Sequence, residues 1–219
     1  MLRNKPLRWL RLLFAAVATS VFAMSCSEDE GESMPPMLMD FVEAHTDANC
    51  RVVKISSDAG RSFVVAQSIV AAVADTTYRC VCSYVLDESE VSATVYSLQH
   101  IYSLPPSPKS DFEKLPADPV TVRSVWKGGG YINMILEVLT TGKGAHSFAF
   151  CEDGFADNAD GKRVVNVIVL HERPQGDAES YTQDAYLSIP IGGYAGECDS
   201  VAVSIPTYQG VKTFIFENE

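Results

Sequence analysis

Tyr131-Ile132-Asn133-Met134-Ile135-Leu136-Glu137-Val138 is the stretch whose reading decides the fold class. Ile132, Met134, Leu136 and Val138 fall on one side of an extended backbone, while Tyr131, Asn133 and Glu137 fall on the other. A period of two is that of a strand with one buried face. Gly128-Gly129-Gly130 just before it is a turn, and Val120 and Val122 alternate with Thr121 and Arg123 before that. The same alternation continues through 145–152, 164–171, 185–191, 201–205 and 211–217, with Asp157-Asn158-Ala159-Asp160-Gly161 as a further turn. Seven short strands at this spacing predict an immunoglobulin-like β-sandwich over 119–219.

Working back toward the N-terminus, five of the eleven prolines lie between Leu104 and Pro119. Proline has no N–H for a ladder and fixes an extended backbone, so 104–118 reads as a semi-rigid linker and a domain boundary. Before it, 40–46, 51–56, 61–65, 77–86 and 91–102 read as strands, separated by turn sequences such as Ser57-Asp58-Ala59-Gly60. Val65, Ile69, Ala72 and Val73 recur at helical spacing and predict a short helix over 67–74. Three strands, a helix and two strands is the order of an OB-like five-stranded barrel, assigned to 37–103. The chain is thus expected to be all-β. Trp126, the only tryptophan after Trp9, is expected to be buried within the C-terminal module by itself, since few contacts are expected across the linker.

The first 25 residues have a different character. Arg3, Lys5, Arg8 and Arg11 precede an apolar stretch from Leu12 to Met24, too short to span a bilayer comfortably and ending in small residues. That is a cleavable signal over 1–25. Phe22-Ala23-Met24-Ser25-Cys26 resembles a bacterial lipobox, which implies acylation of the Cys26 thiol and cleavage before it; the alternative is a plain secretory signal with Cys26 a bystander. Over 26–36 the chain is a polar tether, and Ser27-Glu28-Asp29-Glu30-Gly31-Glu32 resembles the acidic export signal of Bacteroidetes lipoproteins. The resemblance implies an outer-membrane lipoprotein exposed at the cell surface. A simple acidic spacer on a periplasm-facing lipoprotein is the alternative.

Removal of the signal takes away four basic residues and no acidic ones, leaving 13 basic against 28 acidic residues in a mature chain of 194. A net charge near −15 repels phosphate backbones and anionic headgroups, so nucleic acid is excluded as a partner and membrane contact is assigned to the lipid anchor. Tyr78, Tyr84, Tyr96 and Tyr102, the candidates for stacking on bases, read better as strand formers.

Several segments together resemble the NigD-like lipoproteins of Bacteroidetes. They are Asp75-Thr76-Thr77-Tyr78-Arg79-Cys80, Val122-Arg123-Ser124-Val125-Trp126, Gly128-Gly129-Gly130-Tyr131-Ile132-Asn133, His146-Ser147-Phe148, His171 with Gly176-Asp177, and Ala185-Tyr186-Leu187-Ser188-Ile189-Pro190. The resemblance implies an OB-like domain followed by a β-sandwich and brings no catalytic or binding residues with it.

Motifs of chemistry are incomplete. His171-Glu172-Arg173-Pro174-Gln175 starts like a zinc-protease helix, but Gln175 stands where the second histidine belongs and Pro174 would break the helix, so it reads as a strand end and a turn. Asn158 and Asp160 before Gly161 suggest a calcium loop, yet position 156 is alanine, and a hairpin turn is the better reading. His45, His100, His146 and His171 have no metal-ligand spacing, and no cofactor is implied. Beyond Cys26 remain Cys50, Cys80, Cys82, Cys151 and Cys198, an odd number, so at least one is free or pairs between molecules. Cys80 and Cys82 share a strand face and read as buried, whereas Cys151 with Cys198 is a permitted bridge of the sandwich. No catalytic residue is assigned. The expected function is a non-enzymatic surface module binding a protein or glycan; the alternative is a surface hydrolase of glycans or other polymers whose carboxylates only the fold would bring together.

Overall fold

The computed structural model describes residues 35–176 and 180–218. Cys26, expected to carry the lipid, and the acidic run behind it lie outside the described residues.

Five strands close the N-terminal barrel: β1 (Leu38–Thr46), β2 (Val52–Ser57), β3 (Ser62–Val65), β4 (Thr77–Leu86) and β5 (Ser92–His100), in the order β1-β2-β3-β5-β4. Only the β3–β5 pairing is parallel. Alternate residues point inward, and Val42, Ala44, Ile55, Cys80, Cys82 and Tyr84 fill the centre. Closure removes the two sheet edges that would otherwise invite pairing.

The expected helix over 67–74 is corrected to an irregular, bent crossover between β3 and β4. Val70 bridges Arg51, the Ala71 N–H donates to the Cys50 carbonyl, and the Gln67 side-chain carbonyl accepts from the Val95 N–H. These bonds tie the segment to the barrel rim, and they outweigh a helical period only two turns long, too short to sustain a helix by itself.

The C-terminal part is a sandwich. One sheet runs β13-β12-β10-β9-β6, from Gly210–Glu217 (β13), Ser200–Thr207 (β12), Arg163–Glu172 (β10), Ser147–Asp157 (β9) and Ser107–Pro108 (β6). The other runs β11-β8-β7, from Tyr181–Pro190, Tyr131–Thr140 and Thr121–Gly128. Ile132, Met134, Leu136 and Val138 of β8 face Val165, Val167, Val169, Val201 and Val203 across the core. The proline-rich segment lies along this module: β6 is an edge strand on β9, and Ala117 bridges His171. Proline tolerates an edge because one side of the strand needs no donor.

Residues 36–219 form one compact unit. A third apolar cluster, Phe41, Val81 and Ile101 with Trp126, Ile135 and Tyr186, joins the barrel to the β11-β8-β7 sheet. The expected isolation of Trp126 in the sandwich is therefore corrected: its ring meets Phe41 of β1 edge-to-face at 5.1 Å. The outward positions of β7 and β8 alternate as sequence predicts, but the part of their outer face around Trp126 and Ile135 is covered by the barrel rather than by water.

All five described cysteines are unpaired. Cys151 and Cys198 do not bridge, because Phe150 points into the sandwich core with Cys198, and its neighbour Cys151 must then point to the opposite face. Cys80 and Cys82 are buried in the barrel as expected, and burial pushes their thiols up to about 11 and about 12, so both are protonated and inert.

Candidate functional site

At the seam between barrel and sandwich sits a polar weld. The Arg79 side chain, 3% exposed, leaves β4 and donates from Nη2 to Asp58 Oδ2 (2.7 Å) and Asn133 Oδ1 (2.8 Å), and from Nε to Ser188 Oγ (3.2 Å). Asn133 Nδ2 donates to Asp58 Oδ2 (2.7 Å) and Ser188 Oγ donates to Asn133 Oδ1 (2.6 Å). The guanidinium lies over the Tyr131 ring, 4.0 Å from its centroid, and the Tyr131 hydroxyl donates to Glu43 of β1 at 2.8 Å. Burial and that bond to Glu43 raise the Tyr131 hydroxyl to about 12. Arg79 Nη1 is buried without a hydrogen-bond partner among the described residues, but its other donors are met by protein groups from both modules, so the network is an inter-module joint.

Beside the joint, where β5 leaves the barrel, a cleft of about 500 Å³ opens between the two modules. Gln99, His100 and Tyr102 form one side, Gln183 through Leu187 of β11 the other, and Gly142, Gly144, Ala145 and His146 with Phe148 the end. Asp184 is the one carboxylate lining it among the described residues, and Arg123 clamps both of its oxygens at 2.9 Å. The Tyr186 hydroxyl donates to the same carboxylate at 3.3 Å, and burial raises its pKa. No lysine or arginine lines the cleft. A carboxylate clamped in this way is a poor nucleophile or general acid, and no second one stands opposite it in the cleft.

The end of the cleft is braced by stacked rings. Nδ1 of the buried His171 donates to the Asp118 carbonyl (2.9 Å), which makes its Nε2 the acceptor for His146 Nδ1 at 2.8 Å. Phe148 stacks on His171 with centroids 4.7 Å apart. Burial holds the His171 pKa below its ordinary value, so the ring is neutral at pH 7.

A smaller apolar pocket of about 250 Å³ lies under the 67–74 crossover, and His100 borders both. A third, of about 360 Å³, lies between Phe112, Glu113 and Leu170, with Lys114 paired to Glu172 at its rim. Among the described residues no three His, Cys, Asp or Glu side chains stand close enough to hold a metal ion.

The residues weighed from sequence do not meet in one place. Tyr84 is buried in the barrel, Tyr96 is exposed, and Tyr102 packs against Phe150 of the sandwich, so the tyrosines form no stacking platform. The 157–161 segment is a hairpin turn in which Asn158 Oδ1 accepts from the backbone N–H groups of Asp160 and Lys162, and Glu172 ends β10. Cleft residues Gln99, His100, Gln183 and Asp184 carried no motif in the sequence. They are ordinary strand residues more than 80 positions apart, and only the docking of the two modules makes them neighbours.

Residues 103–217 match the NigD-like C-terminal beta sandwich domain. Among solved structures, a NigD-like immunity protein from Bacteroides caccae is 26% identical, with 84% of this chain and 99% of that one covered at a TM-score of 0.68. A candidate toxin-related protein from Parabacteroides distasonis (16% identity, 83% and 93% covered, TM-score 0.66) and a candidate lipoprotein from Bacteroides fragilis (10%, 84% and 99%, 0.61) share the fold. No curated protein matches this sequence.

Proposed function

The chain belongs to the NigD-like family, whose C-terminal beta sandwich domain spans just over half of it, and from that premise we propose that it is a non-enzymatic binding module held at the bacterial surface by a lipid on Cys26. The observation that carries the binding reading is the cleft: a preformed seam of about 500 Å³ walled by aromatic rings and neutral amides, whose single carboxylate is already neutralised by Arg123. Such a site offers contacts and hydrogen bonds but no pair of carboxylates. The similar protein from Bacteroides caccae is named as an immunity protein, a description in keeping with action by binding. The lipid anchor rests on the lipobox-like Phe22 to Cys26 stretch, and surface display rests on the acidic run behind it. One similar structure, from Bacteroides fragilis, is itself described as a candidate lipoprotein.

The wild-type chain should retain a protein or glycan partner in pull-down and glycan-array assays, and His100→Ala combined with Gln183→Ala should lose it with the fold intact by circular dichroism. Release of product from any polymer by the wild type would replace this reading with a hydrolase. For the anchor, labelled fatty acid should enter the wild type and not Cys26→Ser; equal labelling of both sinks it. Protease added to intact cells should remove the wild type and spare a variant with Glu28, Asp29 and Glu30 changed to alanine.

A further inference from the structure

One wall of the cleft is the free edge of a β-sheet. β11 is the terminal strand of β11-β8-β7, and the direction of its backbone groups can be derived. The hairpin joining β7 to β8 has Gly128 opposite Tyr131, so odd-numbered residues of β8 bond to β7 and even-numbered ones to β11. Leu187 opposes Met134 and Ala185 opposes Leu136, so odd-numbered residues of β11 bond to β8. The Ile191 N–H, which donates to the Gly130 carbonyl, fits this parity. Even-numbered residues therefore point their N–H groups away from the sheet. Pro190, which has no N–H, falls in that outward set, and the Ser188 N–H is taken by the Tyr102 carbonyl at 3.0 Å. Among the described residues nothing pairs with the outward N–H groups of Thr182, Asp184 and Tyr186. Unpaired edge donors facing a walled cleft are a template for one more strand.

The chain itself begins that strand and abandons it. Tyr102 pairs with Leu187 in parallel, but Ile101 is already bonded to Arg79 of the barrel, so the chain's own cover ends where the cleft starts. The two faces of the missing strand differ. On the side of Ala185 and Leu187 it would meet Val138 and Phe148 at the open flank of the sandwich; on the side of Asp184 and Tyr186 it would meet a polar wall whose one carboxylate is paired with Arg123. The mature chain around it carries 13 basic and 28 acidic residues.

We propose that the β11 edge captures an extended segment of a partner polypeptide, with apolar residues alternating with basic ones, as an added strand. The apolar side chains close the flank of the sandwich, the basic ones lie on the opposite face and answer the acidic excess of the chain as a whole, and the backbone bonds to Thr182, Asp184 and Tyr186 supply affinity for any sequence of that pattern. This inference rests on the binding-module reading and names the partner for its cleft.

A labelled peptide of alternating valine and lysine, about eight residues long, should bind the full mature chain, and its glutamate counterpart should bind about tenfold more weakly. N-methylation of alternate nitrogens is the decisive arm. One set (the valines if the added strand is parallel, the lysines if antiparallel) should weaken binding about tenfold or more, while the other leaves it unchanged. Thr182→Pro removes an outward donor at a position of the same parity as Pro190 and should weaken binding to a similar degree, about tenfold. Equal effects of the two methylated sets, or no binding at roughly 1 mM peptide, overturn the proposal. If a neutral oligosaccharide binds and the peptide does not, the added strand is wrong while the binding-module reading stands; if the edge instead pairs with a second copy, the chain will sediment as a dimer that Thr182→Pro dissociates, which also overturns it.

Discussion

Arg79 and His171 are buried for different reasons and fail in different ways. Arg79 is held by Asp58, Asn133, Ser188 and the face of Tyr131, so its removal leaves the Asp58 carboxylate and two polar side chains at the seam without their cation. Arg79→Met should cost roughly 3 kcal/mol in denaturant unfolding, the scale for breaking one side of a buried pair. Adding Asp58→Leu should recover part of the loss, since the stranded charge goes with it. His171 acts through protons. Burial lowers its pKa below 6.5, so as pH falls the unfolded chain takes up the proton before the folded one. Its contribution is fully present above 6.5 and drains away as pH drops below that value. Urea midpoints should therefore fall from about pH 7 to pH 5. His45 is shifted the same way, again by burial first, so His171→Gln should flatten this slope in part rather than abolish it.

Among the elements, the β7–β8 hairpin is the most constrained. Gly129 and Gly130 have φ of +60° and +82°, the left-handed pair that a two-residue turn with the right twist requires. Gly129 has a second constraint that no turn rule contains: a Cβ there would stand 2.4 Å from Asp58 Oδ1, on the barrel. The turn that begins the sandwich therefore also presses against the acid that holds Arg79. Gly129→Ala should destabilise by about 1–3 kcal/mol through left-handed strain alone, and more through displacement of Asp58. Gly130→Ala, with open space around it, should show only the strain. Comparison of the two in thermal unfolding separates turn geometry from the inter-module contact. The 104–118 segment is a further element whose prolines are compatible with an edge strand, β6, in which Ser107 pairs with Cys151 of β9.

For the molecule as a whole, Trp126 reports whether barrel and sandwich are docked. Its ring lies against Phe41 and near Tyr186, in a cluster neither module completes by itself. A fragment of residues 103–219 should keep the sandwich core but emit from Trp126 as a tryptophan in water, and Phe41→Ala in the full chain should shift the emission the same way. Unchanged emission from the fragment would mean that the sandwich buries Trp126 without help. The residues that carried the family resemblance, Arg79, Trp126, Tyr131, Asn133 and Ser188 among them, are those that weld the modules together. They looked like strand and turn residues because each contributes to the joint from the outward side of a strand whose inward side already explains the alternation.

By itself the sequence determined the strands and the modules' inner faces, because a period of two and the placement of glycine and proline are local consequences of backbone geometry and of burying one side of a strand. It also held the lipobox-like stretch and the charge balance, which need no fold to be read. The tertiary structure alone decided what covers the outer face of β8, which thiols face the same core, that 67–74 is irregular rather than helical, and that the edge of β11 opens into a cleft beside His100. Each of these depends on contacts between residues far apart in the chain, where the energy comes from surfaces meeting and leaves no periodic trace along the sequence.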